Sequence, residues 1–288
     1  MKILKKGIGV VGSTTIDKIV AEDQSYLKLG GVTTYAGITY RRHGIPALIV
    51  SNLAERDFKF IEKLKAEKIE VFNAASDQTT QFVNYIRGDR RNQELLQQAY
   101  PIDAAQIHSM IHRIDGLHLG PLHPLDIDPA ALSLLREANL PIFLDVQGYT
   151  RKVQNKKVYP SVSGHLTAGL LPAQIIKANG AEQQAILNFY QMSLTELMTR
   201  FKIEESVVTL GENGGFVQTR NGKTFKYAAQ PVNSPIDSTG AGDVFFAAYI
   251  VSRFSSQIPI PDACRSAARI AARQVEGKYI TLNQLGLR

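Results

Sequence analysis

Short apolar runs alternate with stretches whose apolar residues recur every three or four positions along nearly the whole chain. The runs predict strands over 7–12, 47–51, 70–73, 116–120, 142–146, 174–177 and 206–210. The helical spacing predicts helices over 33–43, 57–65, 104–111, 129–137, 182–190 and 194–201. A strand-helix rhythm of this kind predicts α/β architecture around a mainly parallel sheet. Two segments break it, 16–29 and 79–91. In the second, Thr80 to Arg87 are polar and apolar in turn, the mark of a half-exposed strand. The two segments are expected to pair as a small sheet beside the main one. Residues 216–220 and 224–228 flank Asn221-Gly222, which predicts a hairpin closed by a type I′ turn. No internal repeat or low-complexity tract interrupts the pattern.

Composition narrows the picture. With 288 residues, 44% hydrophobic and 20% charged, the chain has enough apolar surface for a sizeable core, which excludes disorder as its main state. Its uncharged apolar stretches fall far short of the roughly 20 residues that span a bilayer. The start, Met1 to Lys6, is interrupted by lysines before a signal-peptide core develops, so a cytoplasmic protein is expected. The formal charge is +7, from 33 basic and 26 acidic residues. The basic residues lie in scattered groups, Arg41-Arg42, Arg87 to Arg91 and Arg151 to Lys157, without the continuous stripe or aromatic platform of a nucleic-acid binder. No nucleic-acid or membrane partner is expected. Cys264 stands alone in an alanine-rich helical stretch and reads as a small buried residue.

Gly7, Gly9 and Gly12 match G-x-G-x-x-G, the spacing of a dinucleotide-binding turn. Here the glycines lie inside the apolar run itself and no helical pattern follows Gly12, so small residues in a close-packed strand are expected. A stronger signal lies at 237–243. Asp237-Ser238-Thr239-Gly240-Ala241-Gly242-Asp243 is a glycine-rich turn opening onto the apolar stretch Val244 to Ile250. The N–H groups of Gly240, Ala241 and Gly242 are placed to converge on an oxyanion at the positive end of a helix. Asp243, in the first turn, can take a proton from a hydroxyl beside that anion, or simply be an acidic residue favoured by the helix dipole.

The seven-residue string resembles the second signature of the ribokinase-like, PfkB-type carbohydrate kinases, and further pieces match that family in its order. Gly12 to Asp17 looks like the end of its first strand, with an aspartate for sugar hydroxyls, and Gly30-Gly31 like its hinge diglycine. Asn179-Gly180-Ala181-Glu182 is similar to its N-x-x-E motif, and Thr209-Leu210-Gly211-Glu212-Asn213-Gly214 to its nucleotide loop T-x-G-x-x-G. Taken by themselves, Asn179 and Glu182 also read as a helix cap and its partner, and 211–215 as an ordinary glycine turn.

The resemblance implies a ribokinase-like three-layer sandwich with a mainly parallel central sheet and a small β lid, one kinase domain over 1–288 with the lid formed by about 16–32 and 79–92. It implies transfer of the γ-phosphoryl group of ATP to a hydroxyl of a sugar or polyol. Asp243 would be general base, Gly240, Ala241 and Gly242 the anion hole, and Lys177, Asn179, Thr209, Gly211, Gly214 and Thr239 the nucleotide side. Asn179 and Glu182 would organise Mg2+, and a monovalent cation is a further candidate cofactor. Lys177 reads equally as a solvated surface lysine. Asp17, Gly30, Gly31, Tyr35, Asn84 and Gln147 would form the acceptor side. Thr15 stands where ribokinases carry an asparagine, and Tyr35 where a ribose-contacting asparagine is expected. Those departures, with 80–85, 119–122 and 144–148, resemble the inositol and polyol kinase branch. A nucleoside kinase, with Phe82 and Tyr85 stacking a base, and a non-catalytic sugar sensor are the alternatives. A homodimer through the lid is the expected assembly.

Overall fold

The computed structural model describes residues 6–21, 24–87 and 90–287. The lysine-interrupted start over 1–5, positions 22–23 and 88–89 of the two expected lid segments, and the side chains of the basic group over 87–91 lie outside the described residues.

Nine strands form the main sheet, in the order Thr224–Tyr227, Gly215–Thr219, Glu205–Thr209, Ile175–Asn179, Ile142–Asp145, Gly116–Leu119, Ile8–Val11, Ala47–Ala54 and Glu70–Ser76. The seven from Glu205–Thr209 to Glu70–Ser76 run parallel, and the first two add an antiparallel edge. Central strands such as Ile8–Val11 are buried throughout, which is why they read as unbroken apolar runs. Helices cover both faces and enclose a separate apolar core on each. On one face the helices Val32–Arg42, Ala241–Ile250 and Ile260–Val275 pack over Val10, Ile49 and Phe143. On the other, Ala104–Ile111, Pro129–Leu134 and Leu194–Phe201 pack over Val11, Leu119 and Leu144. Cys264 is fully buried on the first face, as expected, and burial pushes its thiol up to about 12. No helix among the described residues is long and apolar enough to cross a membrane.

The expected strand boundaries hold to within a few residues. The glycines at 7, 9 and 12 flank and fill a strand that leads into no helix. The segment expected as one helix over 57–65 divides into a 3₁₀ stretch, Glu55–Phe60, and a short α-helix, Ile61–Ala66. From Ile8–Val11 the chain builds outward through Ala47–Ala54, then returns to add Gly116–Leu119 on the other side. Such a reversal leaves a crevice beyond the carboxyl ends of the strands, the usual ligand position in an open α/β sheet.

A second sheet covers that crevice. It has seven strands, in the order Arg151–Gln154, Lys157–Pro160, Arg90–Gln97, Gln81–Arg87, Thr15–Val20, Ser25–Gly30 and Gly286–Leu287. The lid is therefore larger than two segments. The hairpin over 151–160 carries the basic group that reads as solvated charge, and the final strand has only 2 residues, too few for any periodicity. The type I′ geometry expected at Asn221-Gly222 appears instead in this hairpin. Asn155 and Lys156 both take positive φ, 50° and 67°, between strands paired at Gln154 and Lys157. At 221–222 only Gly222 has positive φ, and the Asn221 side chain accepts from Thr219 Oγ1 at 2.6 Å, which widens the turn to a four-residue loop.

Beneath the crevice, His118 is fully buried in the central sheet. Its Nδ1 lies 3.0 Å from Tyr40 Oη, and Phe246 packs edge-on at 5.0 Å, whereas Nε2 has no partner among the described residues. Burial lowers its pKa to about 4, against a smaller upward pull from Asp145. The unfolded chain, with an ordinary histidine near 6.5, therefore binds more protons between these values. Folding stability is expected to fall as pH drops through about 6.5 to 4, by roughly 3 kcal/mol from this group. Urea titrations across that range should show the decline, and His118→Asn should flatten it.

Candidate functional site

The loop after Ile8–Val11 carries the chain from the main sheet into the lid, and Asp126 anchors it. The Asp126 carboxylate accepts from Ser13 Oγ at 2.5 Å, Ser13 N at 3.2 Å and Leu122 N at 2.8 Å, while Ser13 Oγ also lies 3.0 Å from Thr80 Oγ1. Thr15 and Asp17 follow on the lid strand. Gly30 faces them across the antiparallel pair, and a Cβ at 30 would overlap the Asp17 carboxylate and Thr15 Oγ1. Thr15 Oγ1 is buried without a hydrogen-bond partner among the described residues.

The glycine-rich turn stands opposite. Gly240 caps the helix Ala241–Ile250 with φ 78°, and the Tyr35 ring lies against its α-carbon where a side chain would project. Asp237 Oδ1 accepts from Thr239 N at 2.8 Å and shapes the approach. Ala241 N donates to Ser238 O at 3.2 Å, closing the turn, so this amide is committed to the loop rather than to the converging trio expected from sequence. The Gly240 and Gly242 amides, with the helix dipole behind them, are what the turn can offer an anion. Asp243 projects from the first helical turn into the same space.

Lys177 is no surface lysine. It is 6% exposed and donates to Asp145 Oδ2 at 2.8 Å, with Asp145 wholly buried. Burial alone would strip its charge, but Asp145, then Glu182 and Asp243, outweigh that and hold its pKa well above the ordinary value. A Cβ at Gly242 would stand 3.2 Å from Nζ, so the glycine lets the ammonium approach the helix end. Asn179 and Glu182 form a complete capping box, each backbone N–H donating to the other's side chain at 2.8 Å. Burial raises the pKa of Glu182 against the pull of Lys177. Thr209 is the neighbour of Asn179 across the parallel pair, so Lys177, Asn179, Thr209 and Gly211 run outward along one sheet edge. Gly214 takes φ 76° where a side chain would strike the Tyr227 carbonyl, a requirement of the hairpin itself.

One cleft of about 180 Å³ gathers most of these groups. Asp17, Gly31, Tyr35 and Gln147 line one part, and Lys177, Thr239, Gly240, Gly242 and Asp243 another. Asn179, Glu182, Thr209, Gly211 and Gly214 lie beyond it, as do Gly30, Ala241 and Asn84. Asn84 corrects an expectation. It is fully buried and accepts from Gln93 Nε2 at 2.9 Å; Gln93, directly across from it on the same face of the lid, is the residue that lines the cleft. Thr15 and Phe82 also line it, and Leu122, Ser238 and Arg151, to which the sequence assigned no role, complete the wall. Arg151 donates to Gln147 Oε1 at 3.2 Å. Its spacing of four from Gln147 was the only local signal.

Residues 42–283 match the model of the pfkB family carbohydrate kinases. Among curated protein sequences none matches significantly. Solved structures share the fold. A pyrophosphate-dependent kinase in the ribokinase family superposes with a TM-score of 0.82 at 19% identity, over 93% of this chain and 95% of that one. A nucleoside kinase from Methanocaldococcus jannaschii gives 0.75 at 18%, over 96% and 93%. The ribokinase of Thermotoga maritima gives 0.74 at 16%, over 97% and 95%.

The buried pair makes a stability prediction. Lys177→Met is expected to cost about 3–5 kcal/mol, because it strands the Asp145 carboxylate in the interior. Adding Asp145→Asn should recover most of that loss. Urea unfolding of the two single variants and the double variant measures the coupling, and additive losses would contradict it.

Proposed function

The chain belongs to the pfkB family of carbohydrate kinases, and on that premise we propose that it transfers the γ-phosphoryl group of ATP to a hydroxyl of a small polyol or sugar. The observation that carries this reading is a single cleft holding the Asp17 carboxylate, Asp243 and the glycine turn together. Its volume, about 180 Å³, is below the ~300–1,000 Å³ of pockets for drug-sized ligands. A single polyol ring suits that space better than a nucleoside. The wall is rich in hydrogen-bonding groups, Thr15, Asp17, Gln93 and Gln147, which exchange for the water a polyol must shed. Phe82 supplies one aromatic face, the observation that favours a nucleoside acceptor as second reading.

Phosphoryl transfer relies on positioning and charge neutralisation more than on covalent chemistry. Asp17 holds the acceptor under the lid. Asp243 accepts the proton of the attacking hydroxyl as its oxygen bonds to the terminal phosphorus and the bond from phosphorus to the bridging oxygen breaks. The amides of Gly240 and Gly242 meet the charge on the transferring oxygens at the helix end. Lys177, kept charged by its carboxylates, lies beside Gly242 to meet the leaving phosphate. Thr239, Asn179, Thr209, Gly211 and Gly214 continue along the edge as the nucleotide side. Among the described residues no three ligating side chains cluster, so Mg2+ would be held mostly through water: Glu182 commits Oε2 to the capping box and leaves Oε1 for the ion's hydration shell. When bound, the ion neutralises donor phosphate charge. The lid leaves Leu27 and Tyr159 exposed on one face, which supports a homodimer through this sheet. Sedimentation velocity should give a dimer for the native chain and a monomer for Leu27→Glu/Tyr159→Glu.

A panel of inositols, hexoses, pentoses and nucleosides, offered with ATP or pyrophosphate, tests acceptor and donor together. Turnover confined to nucleosides would replace the polyol reading, and no turnover with any pair would leave a non-catalytic sensor. With the best acceptor, Asp243→Asn should lower kcat by about 10² to 10⁴ at little change in acceptor KM. Asp17→Ala should act mainly on acceptor KM, by about 1.5–3 kcal/mol, the range for hydrogen bonds to a charged group.

A further inference from the structure

Lys28 and Asp237 form an ion pair that the chemistry above does not use. Lys28 sits in the lid strand Ser25–Gly30, directly across from Asp17 in the antiparallel register, so both side chains leave the same face of the lid. Its ammonium is 3% exposed and meets Asp237 Oδ2, while Asp237 Oδ1 holds the Thr239 amide at 2.8 Å. One carboxylate thus joins the strand that carries Asp17 to the turn that carries Thr239 and Gly240. Burial opposes the Asp237 charge, yet Lys28 and the Thr239 contacts leave its pKa below the ordinary value. The turn is further held by Ile236 N and Asp237 N donating to Val275 O at 2.9 and 3.2 Å, by Ala241 N donating to Ser238 O at 3.2 Å and by Gln274 Nε2 donating to Thr239 O at 3.4 Å, none of which reaches the lid.

Building on the kinase reading, we propose that Lys28 is a positioning residue that fixes the lid to the glycine turn through Asp237, setting the distance between the acceptor on Asp17 and the anion site at Gly240. Lysine suits the task because its long stem spans from lid to loop and its charge is tethered. Asp237 keeps 20% of its side chain exposed, and Lys28, almost wholly buried, gives it a counter-cation that cannot dissociate. The turn therefore keeps its shape without a diffusible monovalent ion.

Hydrogen exchange on Lys28→Met and on Asp237→Asn tests the strut without any assay of activity. In both, the Thr239 amide should exchange about tenfold faster or more, with strand 8–11 unchanged. Unchanged exchange at Thr239 in either folded variant would overturn the proposal. With the best donor and acceptor from the panel, Lys28→Met should lose on the order of 10² in kcat, the scale of a misplaced reacting group, with a smaller rise in acceptor KM. Lys28→Ala should regain part of that rate when ethylammonium or potassium is added, whereas the native enzyme should run equally well in potassium and choline chloride. Loss of kcat without cation rescue, at unchanged melting temperature, would also overturn it. If the native chain transfers no phosphoryl group to any acceptor, the kinase reading fails, and the exchange data still decide whether the strut exists.

Discussion

A buried ammonium can stay charged only among carboxylates, and that constraint organises the centre of this protein. Lys177 leaves the middle of a parallel strand with almost no exposure, where low dielectric favours its neutral form. Asp145 from the adjacent strand answers it directly, and Glu182 and Asp243 answer it from two different helices. Each of those helices starts at the same sheet edge, so two positive helix ends and one ammonium face a common crevice. Nothing apolar could close such a place. It persists because the sheet's reversal leaves a gap at the strand ends and a second sheet lies over it.

The main sheet was legible because its buried parallel strands are apolar at most positions and need no knowledge of their partners. The strand at 8–11 and the helices at 104–111 and 194–201 could be read from a window of residues. The glycine turn was legible for another reason: anion binding at a helix end requires small residues in one short string. Side-chain direction was not. Asn84 and Gln93 are nine positions apart, and the register of their strands puts them side by side on one face, where Gln93 lines the cleft and Asn84 is buried beside it. Asp145 was equally opaque, since a carboxylate at the end of an apolar strand declares its partner only when Lys177 arrives from the neighbouring strand.

Turn chemistry shows the same limit at short range. Asn-Gly is the stronger local signal for a type I′ turn, yet the protein places that turn at Asn155-Lys156 and lets Asn221 bond to Thr219 and Lys223. Both hairpins lie at the outer edge of their sheets and both are drawn against a third strand, one by Leu95 N donating to Lys156 O at 2.8 Å and the other by Arg220 N donating to Glu204 O at 3.0 Å. What separates them is the Asn221 side chain, which accepts from Thr219 and Lys223 and holds a four-residue loop, whereas Asn155 and Lys156 take the two positive φ values of the tight turn.

One wall of the cleft draws its character from Tyr35. Its ring is 1% exposed and lies over Gly240, so no residue larger than glycine can occupy the helix cap without displacing it. The ring in turn cannot swing away easily, because helix Val32–Arg42 starts at Gly31 and is buried along nine consecutive residues, from Val32 to Tyr40. An aromatic ring wedged between the first helix and the glycine turn narrows the cleft from the side where a smaller polar residue would leave room. It also converts a mobile glycine into a fixed one, since the cap's positive φ is now bounded by packing on one face and by the Asp237 loop on the other. The width of the cleft and the rigidity of the glycine turn therefore depend on one contact, and a change at position 35 must alter both together.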